Sequence, residues 1–412
     1  MTRGFWVLVH RWAGLVTGLF LAVAGLTGTI LAFDPWLYEW LNPDLTHVPV
    51  RAEPMLDPFT LRERALALSP GSRIDAVMLN GAPGEVVPFI LAPSAGDPSN
   101  PVLPEFSMLF LDPYTGRAIA REKVGGLWPV TRRNFTQVVF AFHAALALGN
   151  VGGWILGLSS LVWIFTTLAG VYLTLPRPAP ARASPRERRR PSWWSRWRTS
   201  WLFVLRGRAL RVQFNLHRAA GLWMAPLLFV LAVSSVSFNL PQLYGPFMKT
   251  VFGMRDARDR IPDLKEPLVD PVLGWREAAA IGARLTGEEA KKRGFRIAEA
   301  PGSMWMTWDA AKGVFAFPSH GDRDVGYHTP GSVAYVDGRT GELRGIEYAS
   351  GDHAAKTFTS WIGAIHGCTV GGIPMHVVVG LSGLVTAALA FTGAWLLIEK
   401  RRLRVRAAQA HP

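Results

Sequence analysis

The sequence predicts a membrane α-helical bundle of four spans with two extracytoplasmic α+β domains. Three observations lead to this prediction: four long apolar runs, basic clusters on only one side of those runs, and an internal duplication of the whole pattern. Of the 412 residues, 49% are hydrophobic and only 18% are charged, which is a low charged share for a soluble protein. The composition therefore favours residence in a membrane.

Four apolar runs are long enough to span a bilayer, because a hydrocarbon core of about 30 Å needs roughly 20 residues in a helix. They contain no Asp, Glu, Lys or Arg and cover 12–33, 135–175, 219–248 and 357–398. The first is a span rather than a signal peptide, since it is too long for an h-region and no A-x-A-like site ends it. The second and fourth exceed one bilayer thickness. We expect each to bend at its glycines, which are Gly149, Gly152 and Gly153 in one and Gly371 and Gly372 in the other.

The net charge of +14 is concentrated in three segments. Together these segments carry a charge of +17, so the rest of the chain carries −3. They are Arg3 with Arg11, residues 177–218 and residues 399–406. Four spans place these segments on one side of the membrane, and the positive-inside rule puts that side, with both termini, in the cytoplasm. The middle segment is rich in tryptophan, which suits a surface on anionic lipid headgroups rather than on nucleic acid; these residues are Trp193, Trp194, Trp197 and Trp201.

The chain contains one cysteine, Cys368. This excludes an internal disulfide, a cysteine-ligated iron–sulfur cluster, a C-x-x-C-H attachment of c-type haem and a cysteine-rich zinc site. The sequence also has no G-x-G-x-x-G, P-loop or G-x-S-x-G motif, so it gives no signal for nucleotide binding or serine-hydrolase chemistry.

The chain is a duplication with a period slightly above 200 residues. H-R-W-A-G-L at 10–15 recurs as H-R-A-A-G-L at 217–222, an offset of 207, and each copy opens a span. G-L-S at 157–159 recurs at 380–382, an offset of 223 that also places Gly170 on Gly393 and His143 on His366. Between the spans, D-P-Y-T-G at 112–116 recurs as D-G-R-T-G at 337–341, in a context typical of strand, turn and strand. The protein is therefore two copies of helix, outer domain and helix.

Each outer segment begins with an amphipathic helix, around 58–68 and 272–285, and continues with short strands, so each is predicted to be a small α+β module. The predicted order of domains is transmembrane helix 1 at 1–33, outer domain 1 at 34–134, transmembrane helix 2 at 135–175, a basic cytoplasmic loop at 176–212, transmembrane helix 3 at 213–240, outer domain 2 at 241–356, transmembrane helix 4 at 357–398 and a cytoplasmic tail at 399–412.

Five of the ten histidines lie in or at the spans, where ionisable groups are costly and usually functional. His10 and His217 enter from the cytoplasmic side, whereas His143, His366 and His376 lie toward the outer side. Histidines paired at two depths on neighbouring helices are what two b-type haems need. We expect His10 with His217 to ligate one haem iron and His143 with His366 the other, with His376 as a substitute outer ligand.

Small and basic residues accompany these histidines. Gly14, Gly18 and Gly25 share a helical face with His10, and Gly221 lies four residues after His217, so they are expected to leave room for a flat haem. Arg11 and Arg218 directly follow the two histidines and are candidates to neutralise haem propionates. A plainer interpretation remains open, in which the histidines are interfacial residues with satisfied hydrogen bonds and the glycines serve close helix packing.

The remaining histidines carry less information. His47, His320, His328 and His353 fall in the outer segments without metal-ligand spacing and are expected at the surface, and His411 lies in the tail. The Asp112 and Asp337 motifs are expected to form turns and caps.

The duplicated motifs occur in a fixed order: an H-R-x-A-G-L entry helix, an outer module that ends in D-x-x-T-G, and a later histidine span followed by G-L-S. In this order they resemble the PepSY-associated transmembrane family over nearly the whole chain. The resemblance implies PepSY-like periplasmic domains and a place in the inner membrane of a Gram-negative bacterium. It also implies similarity to iron-regulated proteins and siderophore-iron reductases that carry haem b. His376 is an extra outer histidine that the family pattern does not account for.

The resemblance implies electron flow from the cytoplasmic side through the two haems to a ferric siderophore, or a similar Fe(III) chelate, held by the outer domains. With no NAD or flavin motif in the chain, the donor is expected to be a quinol or a cytoplasmic reductase. Two other functions stay open: a haem electron conduit to a different redox partner, and a membrane-anchored PepSY binding or protease-regulating protein without redox activity.

Overall fold

The computed structural model describes residues 2–93, 106–123, 126–177, 191–298, 304–327 and 331–409. His328 and His411, both expected at the surface or in the tail, lie outside these residues. The described part divides into two compact units. A membrane unit comprises Met1–Asp34, Val138–Gly245 and Gly371–Pro412, and an α+β unit comprises Pro35–Gln137 and Pro246–Val370.

The described helices are α1 (Arg3–Leu31), α2 (Asp34–Leu41), α3 (Pro43–Thr46), α4 (Pro58–Ala67), α5 (Phe135–Ala145), α6 (Gly149–Thr174), α7 (Trp193–Arg198), α8 (Ala209–Asn239), α9 (Pro241–Phe252), α10 (Trp275–Arg293), α11 (Ala354–His366) and α12 (Gly372–Gln409). The strands are β1 (Ser72–Arg73), β2 (Ala76–Met78), β3 (Val87–Ile90), β4 (Ala92–Pro93), β5 (Met108–Leu111), β6 (Ala118–Glu122), β7 (Trp305–Asp309), β8 (Val314–Ser319), β9 (Ser332–Asp337) and β10 (Leu343–Tyr348).

Among the described residues, four helices are long and apolar enough to cross a membrane: α1, α6, α8 and α12. Large apolar side chains on these helices point away from the bundle. Val16, Leu19 and Phe391 are 67%, 71% and 66% exposed, which is the arrangement of side chains that face lipid. The prediction of a four-span membrane bundle is confirmed, and the bundle contacts lipid.

The second and fourth apolar runs are each broken into two helices. Between α5 and α6, Leu146, Ala147 and Gly149 have φ values of 51°, 57° and 56°. Between α11 and α12, Gly371 and Gly372 have φ values of 78° and 60°. These left-handed conformations end a helix, so the bends expected at Gly149 and at Gly371–Gly372 are confirmed, whereas Gly152 and Gly153 lie inside α6.

In the membrane unit, α1 packs against α12 and α6 packs against α8. The first contact is closest at two glycines, because a Cβ added to Gly25 would lie 2.6 Å from the carbonyl oxygen of Gly383. The second contact includes a hydrogen bond of 2.8 Å from the Ser160 hydroxyl to that of Ser235. Small residues let helices approach closely in lipid, where dispersion and hydrogen bonds replace the hydrophobic effect. We call the first span of each copy its entry span (α1 and α8) and the second its exit span (α6 and α12). Each entry span therefore packs against the exit span of the other copy.

The first outer segment has the expected α+β form. Asp57 is the N-cap of its helix α4, and its carboxylate accepts hydrogen bonds from the N–H groups of Phe59 and Thr60. Leu61 on α4 packs against Phe89 and Leu109 of the antiparallel sheet β3-β5-β6. The alternation of buried and less buried residues along β3 shows why these residues form a strand with one face in the core.

The second outer segment forms an antiparallel sheet in the order β10-β9-β8-β7-β2. Its last strand, β2, comes from the first segment and pairs Met78 with Trp305 of β7. Helix α10 covers this sheet and approaches it at Gly282, where an added Cβ would lie 2.5 Å from the Phe317 ring. The two α+β regions are thus joined through a shared sheet.

The repeated D-x-x-T-G motifs form equivalent turns. The Oδ1 atom of Asp112 accepts hydrogen bonds from the N–H groups of Tyr114 (2.8 Å) and Thr115 (2.9 Å). The Oδ1 atom of Asp337 accepts from the N–H groups two and three residues later, at 2.8 and 3.1 Å. The prediction that both aspartates make turns is confirmed. Asp112 also forms an ion pair of 2.8 Å with Arg51.

Replacing Asp112 should destabilise the α+β unit in a pH-dependent way. Burial alone would raise the pKa of its carboxyl, but the N–H donors of Thr115 and Tyr114 and the charge of Arg51 outweigh burial and lower it. The folded state therefore favours the carboxylate, and this stability is present above the ordinary carboxyl pKa and lost as the pH falls through the lowered value. At neutral pH, Asp112→Ala should lower the free energy of unfolding by about 1–2 kcal/mol.

Thermal unfolding of the detergent-purified protein at neutral and acidic pH measures this effect. Glu53→Ala, which removes an exposed carboxylate of the same unit, is the matched control and should leave the melting temperature unchanged. Equal melting temperatures for Asp112→Ala and the wild type at neutral pH would contradict the role given to the turn.

The contact between α1 and α12 predicts opposite outcomes for two glycine-to-alanine changes on the same helix. A Cβ at Gly25 would press on the Gly383 backbone, whereas a Cβ at Gly14 would lie 3.9 Å from Thr166 in ordinary contact. Gly25→Ala should cost about 1–3 kcal/mol through overpacking, and Gly14→Ala should be tolerated. Denaturant unfolding in detergent compares the two variants, and equal stabilities would show that this contact is not close in solution.

Candidate functional site

The two histidines that open the entry spans come together in the membrane unit. His10 lies two turns into α1 and His217 lies two turns into α8. Their ring centroids are 6.2 Å apart with the ring planes at 76°, and both side chains are half-buried. The structure thus places these duplicated residues, here named the entry-span pair, at one depth and facing each other.

A neighbouring helix holds each ring of the entry-span pair through Nδ1. His10 Nδ1 lies 3.0 Å from the carbonyl oxygen of Thr166 on α6. His217 Nδ1 lies 2.8 Å from the hydroxyl of Thr392 on α12, and that hydroxyl donates its own proton to the carbonyl of Ala388 at 2.7 Å. Both rings therefore donate from Nδ1, which leaves the lone pair on Nε2. Each half supports its histidine with its own exit span.

Glycines on the exit spans contact the edges of the same two rings. A Cβ at Gly170 on α6 would lie 3.0 Å from His10 Cε1, and one at Gly393 on α12 would lie 3.5 Å from His217 Cε1. These glycines correspond to each other under the offset of 223. Their recurrence was visible in the sequence, but their contact with the histidines was not, because it depends on which helix faces which.

The glycines expected to make room beside the histidines lie elsewhere. Gly25 is used in the contact with Gly383, and Gly18 lies opposite Ala390 at 3.7 Å from an added Cβ. Gly221 faces the Leu389 side chain at 3.8 Å. Gly25 thus serves close helix packing, whereas the room for haem expected at Gly14, Gly18 and Gly221 remains a prediction.

His143 and His376 both dock on one stripe of α1. His143 Nδ1 lies 2.9 Å from the Ala24 carbonyl oxygen, and its Cε1 would meet a Cβ at Gly28 at 2.9 Å. His376, only 6% exposed, has its Nδ1 2.6 Å from the Ala32 carbonyl oxygen. The two acceptors are eight residues apart, or about 12 Å along the helix. The membrane unit thus contains four histidines whose Nδ1 atoms are engaged by neighbouring helices.

His366 is the last residue of α11 and belongs to the α+β unit. Its expected pairing with His143 remains a prediction. His376, which the sequence offered only as a substitute, is the outer histidine that shares the membrane unit with His143.

The two arginines beside the entry-span pair differ in their surroundings. Arg218 donates to the carbonyl of Thr199 at 3.0 Å and to Asn215 Oδ1 at 3.3 Å, so its guanidinium points toward the basic segment. Arg11 is half-buried directly after His10. The expected contact with haem propionates remains a prediction for both arginines.

The basic segment carries a continuous ladder of tryptophan rings. Neighbouring centroids along it are 5.1–5.4 Å apart, and the last ring, Trp223, belongs to α8. Trp223 also donates from its indole N–H to the Trp201 carbonyl at 3.0 Å. Such a ladder beside arginines suits the boundary between lipid headgroups and acyl chains. It consists of Trp193, Trp194, Trp197, Trp201 and Trp223.

Outside the membrane unit, His47 is exposed as predicted, but the surface prediction for His320 was wrong. His320 is 2% exposed, and its Nδ1 lies 2.7 Å from Asp324 Oδ2. The carboxylate four residues later lowers the cost of burying the ring, but these residues form a loop, so the spacing alone did not signal the contact. His353 is half-buried at the N-cap of α11. The described residues contain no group of three or more His, Cys, Asp or Glu side chains placed around one metal ion.

The arrangement of helices, outer modules and repeated histidines agrees with the comparison to protein families. The model described as the PepSY-associated TM region matches residues 7–400. The chain belongs to this family. The entry-span pair, His143, His366 and His376 all lie inside the region that defines a PepSY-associated TM protein. The comparison with curated proteins found no match.

The contact between Gly170 and His10 can be tested with a double-mutant cycle. Gly170→Ala should cost about 1–3 kcal/mol because its Cβ meets the imidazole edge, and this cost should largely disappear in a His10→Ala background. Gly393→Ala with His217→Ala is the matched cycle, in which the longer contact predicts little coupling. Denaturant unfolding in detergent gives the four free energies of each cycle, and equal coupling in both cycles would contradict the geometry.

Proposed function

We propose that this PepSY-associated TM protein is a haem-containing oxidoreductase of the bacterial inner membrane. In this proposal both termini are cytoplasmic, the α+β unit is periplasmic, and electrons cross the membrane to reduce a ferric siderophore or similar Fe(III) chelate. The basic segments and the tryptophan ladder support the orientation through the positive-inside rule. The histidines of the membrane unit support the redox chemistry.

The observation that carries the proposal is the separation within the entry-span pair. The ring centroids of His10 and His217 lie 6.2 Å apart. At this separation both imidazoles would hold the same haem iron.

The hydrogen bonds of the rings support the same conclusion. Histidines that ligate a metal usually donate their other N–H to a carbonyl or a similar acceptor, which fixes the tautomer and the ring orientation. His10 donates to the Thr166 carbonyl and His217 to the Thr392 hydroxyl, so Nε2 is the nitrogen left to ligate. His143 and His376 are oriented in the same way by carbonyls of α1.

The entry-span pair therefore fits one b-type haem, and the proposal includes a second one. His10 and His217 would hold one, and His143 would hold the second together with His376 or His366. Haem iron at these positions would supply one-electron transfer between its ferric and ferrous states. The protein's own contribution would be to orient the imidazoles and to offer Arg11 and Arg218 to neutralise the haem carboxylates.

Reduction of the chelate consumes one electron per iron and converts Fe(III) to Fe(II). Hard oxygen ligands hold the divalent ion less tightly than the trivalent ion, so reduction favours release of the metal. The electron comes from a quinol or a cytoplasmic reductase, since the chain has no NAD or flavin motif.

Absorbance spectra of the detergent-purified protein, oxidised and then reduced with dithionite, test the proposal together with haem quantification. We expect the bands of low-spin bis-histidine haem at about two haems per chain. His10→Ala and His217→Ala should each remove about half of the haem, whereas His47→Ala, an exposed histidine of the α+β unit, should remove none. A colourless protein after haem-replete expression would refute the haem and favour the binding or protease-regulating function.

Two further measurements separate the finer parts of the proposal. Mixing the reduced protein with ferric chelates in a stopped-flow instrument tests the acceptor, and a haem protein that reduces none of them would be an electron conduit to another partner. Comparing His143→Ala, His366→Ala and His376→Ala identifies the outer ligands, because loss of a ligating imidazole would change the spectrum of one haem only.

A further inference from the structure

The α+β unit contains a cavity of about 390 Å³ that is separate from the histidines of the proposed electron path. It is formed by the first outer segment, from α2 and α3 across to β3 and β5, and is completed by Trp305 of β7. The volume is within the range of pockets that hold small organic molecules.

The deep wall of the cavity is apolar and aromatic. Phe110 and Met78 are each 4% exposed, so the core of the unit holds them in place. Phe110 belongs to a core cluster with Leu45 and Val86, and Trp305 packs against the cluster that contains Met78. Aromatic rings and thioether sulfurs fixed in this way form a polarizable surface suited to an aromatic or branched apolar group.

The carboxylates of the cavity are Glu39 and Glu85, and one histidine, His47, lies beside them. Glu85 lines it and is fixed by a hydrogen bond of 2.7 Å from the N–H of Ala82 to its Oε2 atom. Glu39 lies at the rim, where its side chain is 55% exposed and its Oε1 atom is 3.6 Å from His47 Nδ1. No lysine or arginine is among the described residues that line the cavity. Its charge therefore attracts a cation and disfavours an anion.

A metal ion does not match these walls. The described residues contain no group of three or more His, Cys, Asp or Glu side chains that could share one ion. Rings such as those of Tyr38 and Trp305 instead attract a large, weakly hydrated organic cation through their negative faces. The carboxylates at the rim and the rings of the wall thus favour the same class of ligand.

We propose that this cavity binds a small organic monocation, an ammonium group attached to an aromatic or branched apolar body. The apolar body lies against Phe110, Met78 and Trp305, and the ammonium group lies near Glu39 and Glu85. This function goes beyond the proposed electron transfer and does not depend on it.

Isothermal titration calorimetry on the full-length protein in detergent tests this inference with benzyltrimethylammonium as the probe. We expect a dissociation constant of about 0.1–1 mM, which is typical for a ligand of this size. The anion 3-phenylpropionate, which has a similar ring and the opposite charge, should bind at least about tenfold more weakly. No detectable heat for the cation, or equal binding of both probes, would overturn the proposal.

The variants Glu39→Gln and Glu85→Gln, singly and together, identify the charges that matter. The amide keeps the hydrogen-bond acceptor of Glu85 for Ala82, and the double variant should lose about tenfold in affinity for the cation. Glu53→Gln, an exposed carboxylate outside the cavity, should bind as the wild type does. Unchanged binding in the double variant would refute this site. Since Glu39 is exposed at the rim, its single variant keeps the test valid even if the double variant unfolds.

Discussion

The close contact between α1 and α12 at Gly25 and Gly383 determines where the histidine-bearing helices can lie. A side chain at either glycine would meet a backbone carbonyl, so this close approach of the two backbones requires glycine at both positions. Helix α1 carries His10 and also provides the carbonyls of Ala24 and Ala32 that bind His143 and His376. The placement of one helix against its partner therefore sets the positions of three histidines.

The duplication produces a swapped arrangement of helices rather than two separate halves. The residues that correspond to Gly25 and Gly383 are Ala232 and Ser160, which are also small, and Ser160 takes part in the contact of α6 with α8. Each entry span pairs closely with the exit span of the other copy, whereas each histidine of the entry-span pair is hydrogen-bonded by the exit span of its own copy. The helix pairs that pack closely are thus different from the helix pairs that form hydrogen bonds to His10 and His217.

The symmetry fails at His376 in an informative way. His376 corresponds to Gly153, and its acceptor Ala32 corresponds to Asn239. In one copy the polar side chain comes from the exit span, at His376, and in the other it comes from the entry span, at Asn239, opposite Gly153. Both helix contacts therefore have one polar side chain facing one small residue, but only one of them has an imidazole. Comparison of the halves by sequence alone leaves His376 without a counterpart, because it matches histidine with histidine and takes no account of the partner helix.

The elements of the fold were predictable from the sequence because they depend on local patterns. Apolar runs, helix-breaking glycines and the aspartate turns follow from residue type and spacing, and they predicted the spans, their breaks and both Asx turns. The pairing of β2 with β7 was not predictable, since a three-residue strand has no local signal for a partner more than 200 residues away. The burial of His320 was missed because it requires knowing that Asp324 follows on the same side of a folded loop.

The proposed function of the histidines rests on what an imidazole costs in a membrane. Close packing explains the glycines, but it does not explain rings with two nitrogen atoms, since an apolar side chain would fill the same space without desolvating a polar group. At His10 and His217 the helices satisfy Nδ1 and leave a lone pair on Nε2, and two such lone pairs belong to rings 6.2 Å apart. The same arrangement occurs in both copies of the duplication. A metal ion between the rings would satisfy both lone pairs at once, which is why we interpret the pair as a ligand set rather than as interfacial histidines.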